Sequence, residues 1–241
     1  MRKIVAIGGG EFKNGSGQGG TLAIDREIVG LCEKDRPGLL FIPTASRDSI
    51  EYCNGIGEYF SVEFNCNVNF LKLYESPGRD EIRKAVMSAD IIYTGGGNTY
   101  RMMKAWRRFG VDSLLIEAWK KGTVMSGMSA GAICWFRYGA SDSRKFINPK
   151  ADMIKVRGLD FIHIGVCPHY DMEPERREYL RRLIRRSPDV VLALDDCCAM
   201  EIIDDNYRIN SSGDNAIAYL VYWSKGRYTE DLLKQEIGYR K

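Results

Sequence analysis

Strand-like runs alternate with helical periods through the first half of the chain, and this alternation is the feature that most constrains its fold. Five strand-like runs are predicted at residues 3–8, 39–42, 68–74, 90–93 and 123–126. Helical segments are predicted between them at 21–35, 47–63, 79–88, 98–109 and 111–121. Helices between successive strands are typical of crossover connections, so the pattern predicts an α/β fold with a mostly parallel sheet covered by helices on both faces.

The pattern changes after residue 160. Strand-like runs are predicted at 161–167, 190–194, 200–203, 207–210 and 217–223, mostly separated by short turns. Short turns join antiparallel neighbours, so we expect the C-terminal third to form an antiparallel extension of the sheet. The length suits one α/β domain, and no repeat or Pro- or Ser-rich linker divides the chain. Residues 1–241 are therefore predicted to form a single domain.

Composition narrows the classes of function. Seven cysteines, an odd number without CxxC spacing, indicate neither a disulfide framework nor a zinc site and are typical of a reducing cytoplasm. No run approaches the roughly 18–20 apolar residues of a membrane span, and the first apolar run is too short for a signal peptide. A net charge of +3 is small for 241 residues, which argues against nucleic acid as the main partner. We expect a cytoplasmic protein; its oligomeric state, a homodimer included, is left open.

The segment 123–133, TVMSGMSAGAI, predicts a strand, a sharp turn and a helix. Ser129 lies between Gly127 and Gly131, which matches the G-x-S-x-G nucleophile elbow. The glycines leave room for a strained turn that raises the serine hydroxyl above the edge of the sheet. The backbone N–H of Ala130 then stands where a developing oxyanion would lie. An ordinary glycine-bearing turn is the alternative, but the position between a strand and a helix favours the elbow.

A second glycine cluster, 95–99 with the sequence GGGNT, follows the fourth predicted strand and precedes a helix. Loops after neighbouring parallel strands meet at the same edge of a sheet. We therefore expect the N–H of Gly96 or Gly97 to supply a second oxyanion donor opposite Ala130. A tight turn with no role in chemistry is the alternative. The glycines at 8–10 and 15–20 lack a dinucleotide or phosphate signature and are predicted to form a rim of the site.

A serine nucleophile needs a base, and the chain has only two histidines. His163 stands inside a predicted apolar strand, where a hydrogen-bonded core histidine is expected. His169 follows that strand in a loop, which is the more suitable place for a catalytic base. The sequence therefore favours His169.

Three motifs carry a family resemblance by their order and spacing. They are GGGNT at 95–99, GMSAGA at 127–132 and Pro168-His169, and FIPTAS at 41–46 is similar too. Together they resemble the dipeptidase E and cyanophycinase family of serine peptidases. The resemblance implies a catalytic pair of Ser129 and His169, a flavodoxin-like sheet related to class I glutamine amidotransferases, and hydrolysis of small aspartyl peptides without metal or cofactor. Those amidotransferases carry a cysteine at the position of Ser129; Cys134 lies within the following helix, so thiol chemistry is not expected.

Two aspartates compete as the carboxylate that orients the histidine. In dipeptidase E an aspartate shortly after the serine has this role, and Asp142 matches it after a small gap. In cyanophycinase a glutamate follows the strand after the histidine, and Asp196 occupies that place with a shorter side chain. Asp196 is favoured because it stands at the carboxyl end of a strand, where sites assemble in open α/β sheets. Asp142 and the neighbouring Asp195 remain alternatives.

Substrate recognition is expected from a basic helix predicted at 173–186, which begins shortly after His169. Arg176 and Arg177 lie at its start, where a guanidinium group is suited to bind an aspartyl carboxylate bidentately. The resemblance favours Arg177, because dipeptidase E carries an arginine in a similar context. Asn98 and Tyr170 are further substrate-binding candidates, each with a structural alternative.

Four classes of function remain to be weighed. The first is a serine peptidase whose partner is a small peptide, with α-aspartyl dipeptides and cyanophycinase-like β-aspartyl isopeptide bonds left open. An esterase is the enzymatic rival, although its histidine usually stands much further along the chain. A binding module would use the loop at 95–98 to hold a carboxylate or phosphate. A nucleic-acid-binding protein rests only on the basic helix.

Overall fold

Thirteen strands and seven helices are found in the part of the chain that the computed structural model describes, residues 1–12, 20–172, 174–185, 187–212 and 216–233. The strands are β1 Lys3–Ile7, β2 Gly38–Ile42, β3 Asn67–Phe70, β4 Ile91–Thr94, β5 Val124–Met128, β6 Phe136–Ser141, β7 Ile154–Arg157, β8 Ile162–Cys167, β9 Val191–Leu194, β10 Cys198–Ile203, β11 Asn206–Ser211, β12 Ala218–Ser224 and β13 Arg227–Leu233. The helices are α1 Leu22–Gly30, α2 Ile50–Phe64, α3 Arg79–Ser88, α4 Thr99–Phe109, α5 Val111–Lys120, α6 Ala130–Ile133 and α7 Pro174–Leu183. None of the helices in these described ranges is long and apolar enough to cross a membrane.

The first sheet has the strand order β11-β10-β1-β5-β4-β2-β3. Its five N-terminal strands run parallel, as the alternation of strands and helices predicts, and β10 and β11 are antiparallel. β5 lies between β1 and β4, with Met128 opposite Ile7 and Gly127 opposite Thr94. The turn after Met128 therefore opens at the carboxyl edge of the sheet between two neighbouring strands, where sites form in such folds.

The second sheet has the order β13-β12-β9-β8-β6-β7 and corrects the predicted topology. The antiparallel extension of the C-terminal third exists in β10 to β13, but it is divided between the two sheets. β8 and β9 were expected to be part of that extension; they run parallel to each other and to β6. The reason is α7, which connects β8 to β9 as a crossover and so returns the chain in the same direction.

Alternation along the central strands divides the core of the first sheet into two layers. On β1, Ile4 and Ala6 pack in one hydrophobic cluster, and Val5 and Ile7 pack in another. Both faces are apolar because helices cover both sides of the sheet. A third cluster, which includes Leu180 of α7, packs against the second sheet. The two sheets are thus held by buried apolar faces, and their strand ends are left for polar residues.

A buried carboxyl group interrupts the layer beneath α1. Asp25 is 0% exposed, and its Oδ2 accepts hydrogen bonds from Thr21 Oγ1 at 2.7 Å and from Tyr59 Oη at 2.9 Å. Asp25 Oδ1 has no hydrogen-bond partner among the described residues. Burial raises the pKa of Asp25 from its ordinary value of 3.8 to about 7, against the smaller opposing effect of the two hydroxyl groups. The folded protein therefore binds this proton more tightly than the unfolded chain does.

Asp25→Asn is predicted to flatten the pH dependence of stability. Because the folded pKa of Asp25 is raised, its contribution to stability is fully present below about pH 4 and is lost as the pH rises to about 7. The asparagine variant has no such proton, so its Tm should change less between pH 5 and pH 8 than that of the wild type. Asp35→Asn, at an exposed aspartate, is the control for the loss of a carboxyl group. Equal pH dependence in Asp25→Asn and the wild type would contradict the assignment.

Candidate active site

Ser129 stands at a strained corner between β5 and α6. Its backbone has φ 57° and ψ −109°, a conformation that non-glycine residues rarely adopt, and its N–H donates to the carbonyl of Ile7 at 3.0 Å. A Cβ on Gly127 would lie 2.8 Å from the carbonyl oxygen of Thr94, and one on Gly131 would lie 2.0 Å from the same atom. The glycines on either side of Ser129 are therefore required by close contact with the end of β4.

His169 and Asp196 form a hydrogen-bonded chain with Ser129. Ser129 Oγ lies 2.9 Å from His169 Nε2, and His169 Nδ1 lies 2.5 Å from Asp196 Oδ1. With the proton on Nδ1, the imidazole donates to the carboxylate and accepts from the serine hydroxyl. The side chains of His169 and Asp196 are 25% and 26% exposed, so the pair is reachable from solvent yet mostly enclosed. This arrangement can remove a proton from the serine and hold the resulting imidazolium.

The two sheets meet where this chain of hydrogen bonds forms. Ser129 follows β5 of the first sheet, and His169 follows β8 of the second. Asp196 lies in the turn that leads from β9 in the second sheet to β10 in the first. The N–H of Tyr170 donates to the carbonyl of Leu194 at 3.0 Å, which ties the histidine loop to the end of β9.

Gly9 lies directly against the histidine and the aspartate. A Cβ on Gly9 would be 2.0 Å from Asp196 Oδ1 and 2.3 Å from His169 Nδ1, so no side chain fits there. The carbonyl of Gly9 also accepts a hydrogen bond from the N–H of Cys197 at 2.9 Å. The glycines at 8–10 were predicted to form a rim of the site, but Gly9 packs directly against His169 and Asp196. The three consecutive glycines after the first strand are the sequence feature that could have indicated this close contact. Of the second glycine run at 15–20, residues 15–19 lie outside the described residues.

Of the three candidate aspartates, Asp196 is the one that is hydrogen-bonded to His169 in the structure. Both ring nitrogens of His169 are occupied, by Ser129 and by Asp196, so neither is left for Asp142. Asp195 turns away, and its Oδ2 accepts from the N–H of Ile217 at 3.1 Å. Burial raises the pKa of Asp195 to about 6. Of the three aspartates, the structure brings Asp196 to the histidine.

His163 differs from its sequence interpretation. It was expected to be a core histidine, but its side chain is 75% exposed and its Nδ1 lies 3.1 Å from Asp160 Oδ1. The reason is that the first half of β8 is not covered, since only its last three residues are buried. His163 is therefore a surface residue, away from Ser129.

The predicted oxyanion donors differ in their surroundings: Gly96 and Ala130 are next to Ser129, whereas a Cβ on Gly97 would lie 2.5 Å from the carbonyl oxygen of Ala45. A Cβ on Gly96 would stand 3.6 Å from the Cβ of Ser129, so this glycine faces the nucleophile. Its N–H donates to Tyr52 Oη at 3.2 Å. The N–H groups of Gly97 and Ala130 make no hydrogen bond within the described part of the chain. The amide of Ala130, directly after Ser129, is thus left for a ligand oxygen.

Two of the predicted substrate-binding residues are buried, and their polar atoms bind other parts of the protein. Asn98 is 3% exposed; its Oδ1 accepts from the N–H of Arg101 and caps α4, and its Nδ2 donates to the carbonyl of Ser143. Tyr170 is 1% exposed, and its hydroxyl contacts the hydroxyl of Tyr228 and donates to the carboxylate of Glu230. Their polar atoms contact other parts of the protein in the structure, and substrate binding by Asn98 or Tyr170 stays a prediction.

Arg177 remains accessible. Its side chain is 48% exposed, and its guanidinium lies 4.7 Å from the centroid of the Tyr170 ring. Its Nε lies 3.9 Å from Glu230 Oε1, a loose ion pair. The neighbouring Arg176 is buried and its Nη1 donates to the carbonyl of Ala140. Of the two arginines at the start of α7, only Arg177 can contact a ligand. Glu173 and Arg186, at the two ends of the predicted helix, lie outside the described residues.

The cysteine nearest to Ser129 in the sequence is not placed for thiol chemistry. Cys134 is buried below the elbow, and its Sγ donates to the carbonyl of Gly131 at 3.0 Å. Burial raises its pKa well above the ordinary value. Among the described residues, no group of three or more His, Cys, Asp or Glu side chains is arranged to hold a metal ion.

Comparison with known proteins identifies the family. The model of peptidase family S51 matches residues 4–210. The uncharacterized peptidase YgaJ of Bacillus subtilis is 36% identical over 232 residues, which cover 95% of this chain and 96% of that protein. Peptidase E of Salmonella gallinarum is 27% identical over 116 residues, 45% of this chain and 48% of its own length.

A solved structure shares the fold. The crystal structure of a peptidase from an acI-B1 Actinobacterium superposes with a TM-score of 0.73 at 18% identity, and covers 97% of this chain and 94% of its own. The flavodoxin-like α/β architecture predicted from the sequence is thereby confirmed. With the family model matching most of its length and the YgaJ similarity spanning nearly all of it, this chain belongs to peptidase family S51 and is a serine peptidase.

Proposed function

We propose that this peptidase hydrolyses an amide bond in small aspartyl peptides, with Ser129, His169 and Asp196 as its catalytic triad. The observation that carries the proposal is the continuous hydrogen-bonded chain from Asp196 through His169 to Ser129 Oγ. The strained backbone of Ser129 supports it, because such conformations concentrate at functional sites.

The chemistry follows from the positions of these groups. His169 Nε2 takes the proton of Ser129 Oγ as the oxygen attacks the substrate carbonyl carbon. The carbonyl oxygen becomes an oxyanion next to the amides of Ala130 and the glycine loop. The imidazolium, stabilised by Asp196, then protonates the leaving amine, and the C–N bond breaks to give an acyl-enzyme. Water, deprotonated by His169, adds to the ester carbonyl and releases the acid and Ser129.

Arg177 is the proposed receptor for the aspartyl carboxylate. Its guanidinium is half-exposed, is held against Tyr170 and makes only a loose contact with Glu230, so a substrate carboxylate can replace that contact. The resemblance of the motifs at 95–99, 127–132 and 168–169 to the dipeptidase E family implies an aspartyl substrate. An α-aspartyl dipeptide is the leading substrate and a cyanophycinase-like β-aspartyl isopeptide is the alternative. Cytoplasmic location, a homodimer and the absence of a nucleic-acid partner stay predictions.

Ser129→Ala is expected to reduce peptide turnover by about 10⁴-fold or more, because the nucleophile is lost. The measurement is a hydrolysis screen of Asp-X dipeptides, β-aspartyl dipeptides, cyanophycin and a simple ester, with Ser88→Ala as the control serine. A fluorophosphonate probe should label the wild type and not Ser129→Ala. Peptide turnover that survives the substitution would refute the mechanism. Turnover of the ester alone would favour an esterase. If the wild type shows neither turnover nor labelling, a binding module is favoured.

Asp196→Asn is expected to lower kcat by about 10³- to 10⁴-fold, because an amide cannot hold the histidine in the required tautomer or stabilise its cation. Asp142→Asn is the matched control and should change kcat less than about threefold, since both ring nitrogens of His169 already have partners. Steady-state kinetics on both variants decide between the two acids. A large loss in Asp142→Asn with little loss in Asp196→Asn would reverse the assignment.

Arg177→Ala is expected to lower kcat/KM for an Asp-X dipeptide by about 10-fold or more, mainly through KM, with a smaller effect on the matching Asn-X dipeptide. Arg181→Ala is the control, because Arg181 lies one turn further along α7 and its guanidinium is 5.1 Å from the ring centroid of Tyr228. Equal losses for Asp-X and Asn-X substrates would exclude carboxylate recognition by Arg177.

A further inference from the structure

The glycine that faces the nucleophile has its amide occupied by a tyrosine. Gly96 approaches the side chain of Ser129, yet its N–H donates to Tyr52 Oη at 3.2 Å. Tyr52 is in the first turn of α2, the helix that follows β2. A substrate oxygen bound directly to the Gly96 amide would have to take the place of this hydroxyl.

The ring of Tyr52 is fixed in this position by its neighbours. A Cβ on Gly95 would lie 2.8 Å from Tyr52 Cε1, so the ring is packed against the glycine loop. The ring of Phe41 meets it edge-on at a centroid distance of 5.1 Å, and that of Phe12 lies at 6.2 Å. Moving the hydroxyl away from Gly96 would require repacking of this aromatic group. Displacement by substrate is therefore unfavourable.

The hydroxyl retains one unused hydrogen. Tyr52 Oη accepts from Gly96, and this is its one hydrogen bond among the described residues, so its own O–H has no acceptor there. Burial raises the pKa of Tyr52 to about 12, so the group stays protonated at neutral pH and can donate. Tyr52 also lines a cavity of about 700 Å³ together with Gly96 and Met128, the residue before the nucleophile. Tyr52 and the glycine that binds its hydroxyl therefore share a cavity with the residue before Ser129.

We propose that Tyr52 is a catalytic residue whose hydroxyl donates a hydrogen bond to the substrate oxygen, completing an oxyanion site with the amide of Ala130. The Gly96 N–H acts through it, because a hydroxyl that accepts a hydrogen bond becomes a stronger donor. This inference rests on the proposed function of Ser129. No proton is transferred from Tyr52; its bond strengthens as negative charge develops on the oxygen.

Tyr52→Phe tests the proposal, because it removes the hydroxyl and keeps the ring. The expected result is a decrease in kcat of about 100-fold with KM changed by less than about threefold. The affinity of an aspartyl aldehyde, which adds Ser129 Oγ to form a tetrahedral oxyanion, should fall by a similar factor. Tyr100→Phe is the control, a phenol at the start of α4 that is 58% exposed. Wild-type kcat, or a higher kcat, in Tyr52→Phe would overturn the proposal.

A fluorinated tyrosine at position 52 separates donation from mere positioning of the loop. Fluorine lowers the phenol pKa, and the ionised phenolate still accepts from Gly96 but cannot donate. If Tyr52 donates to the oxyanion, kcat should fall as the pH rises through the lowered phenol pKa. A residue that only holds Gly96 in place would give no such decrease, and a profile unchanged from the wild type would reject donation.

Ser129→Ala in the same assays keeps the two proposals distinguishable. If that variant retains turnover, the serine mechanism itself fails. If it is inactive while Tyr52→Phe keeps full kcat and full affinity for the aldehyde, the triad stands and only the role of Tyr52 is wrong.

Discussion

The contact between the elbow and the carbonyl of Thr94 is the constraint on which the rest of the site depends. Gly127 and Gly131 approach this carbonyl more closely than any side chain would permit, which presses the corner of the chain against the end of β4. Ser129 is then left in its strained conformation with Ile7 as the acceptor of its N–H. The cost of such a conformation, of order 1–3 kcal/mol, is offset by the packing of the central strands on both faces.

The junction of two sheets explains how a base and an acid distant in sequence reach this corner. Each of the three polar residues follows a strand, so each is held by a rigid element rather than by a long loop. The turn that carries Asp196 is also the point at which the chain passes from the second sheet to the first. Relative movement of the sheets would separate Ser129 from His169, and the shared turn opposes it. Positioning of this kind is a large part of what a catalytic triad requires.

Local patterns predicted the parts of the molecule that local chemistry determines. The five parallel strands, the sharp turn at Ser129 and the position of His169 next to it follow from residue spacing and from position at strand ends. The division of the strands into two sheets could not be predicted, because strand pairing depends on contacts between segments that are distant in the sequence. The inward direction of Asn98 and Tyr170 was missed for the same reason, since polar residues near a motif look alike whether they face a ligand or the protein. Gly9 and Tyr52 gave little signal, the first because it acts by lacking a side chain and the second because α2 is remote in sequence from the elbow.

The position of Gly9 joins the first loop of the chain to a turn near its C-terminal end. A glycine from the first loop of the chain packs against a carboxylate that is synthesised nearly two hundred residues later. A fragment of the chain that ends before Asp196 lacks both this carboxylate and the N–H of Cys197, which donates to the carbonyl of Gly9. The loop at 8–10 and the turn at 195–197 must therefore both be in place before His169 and Asp196 are enclosed as the structure shows them.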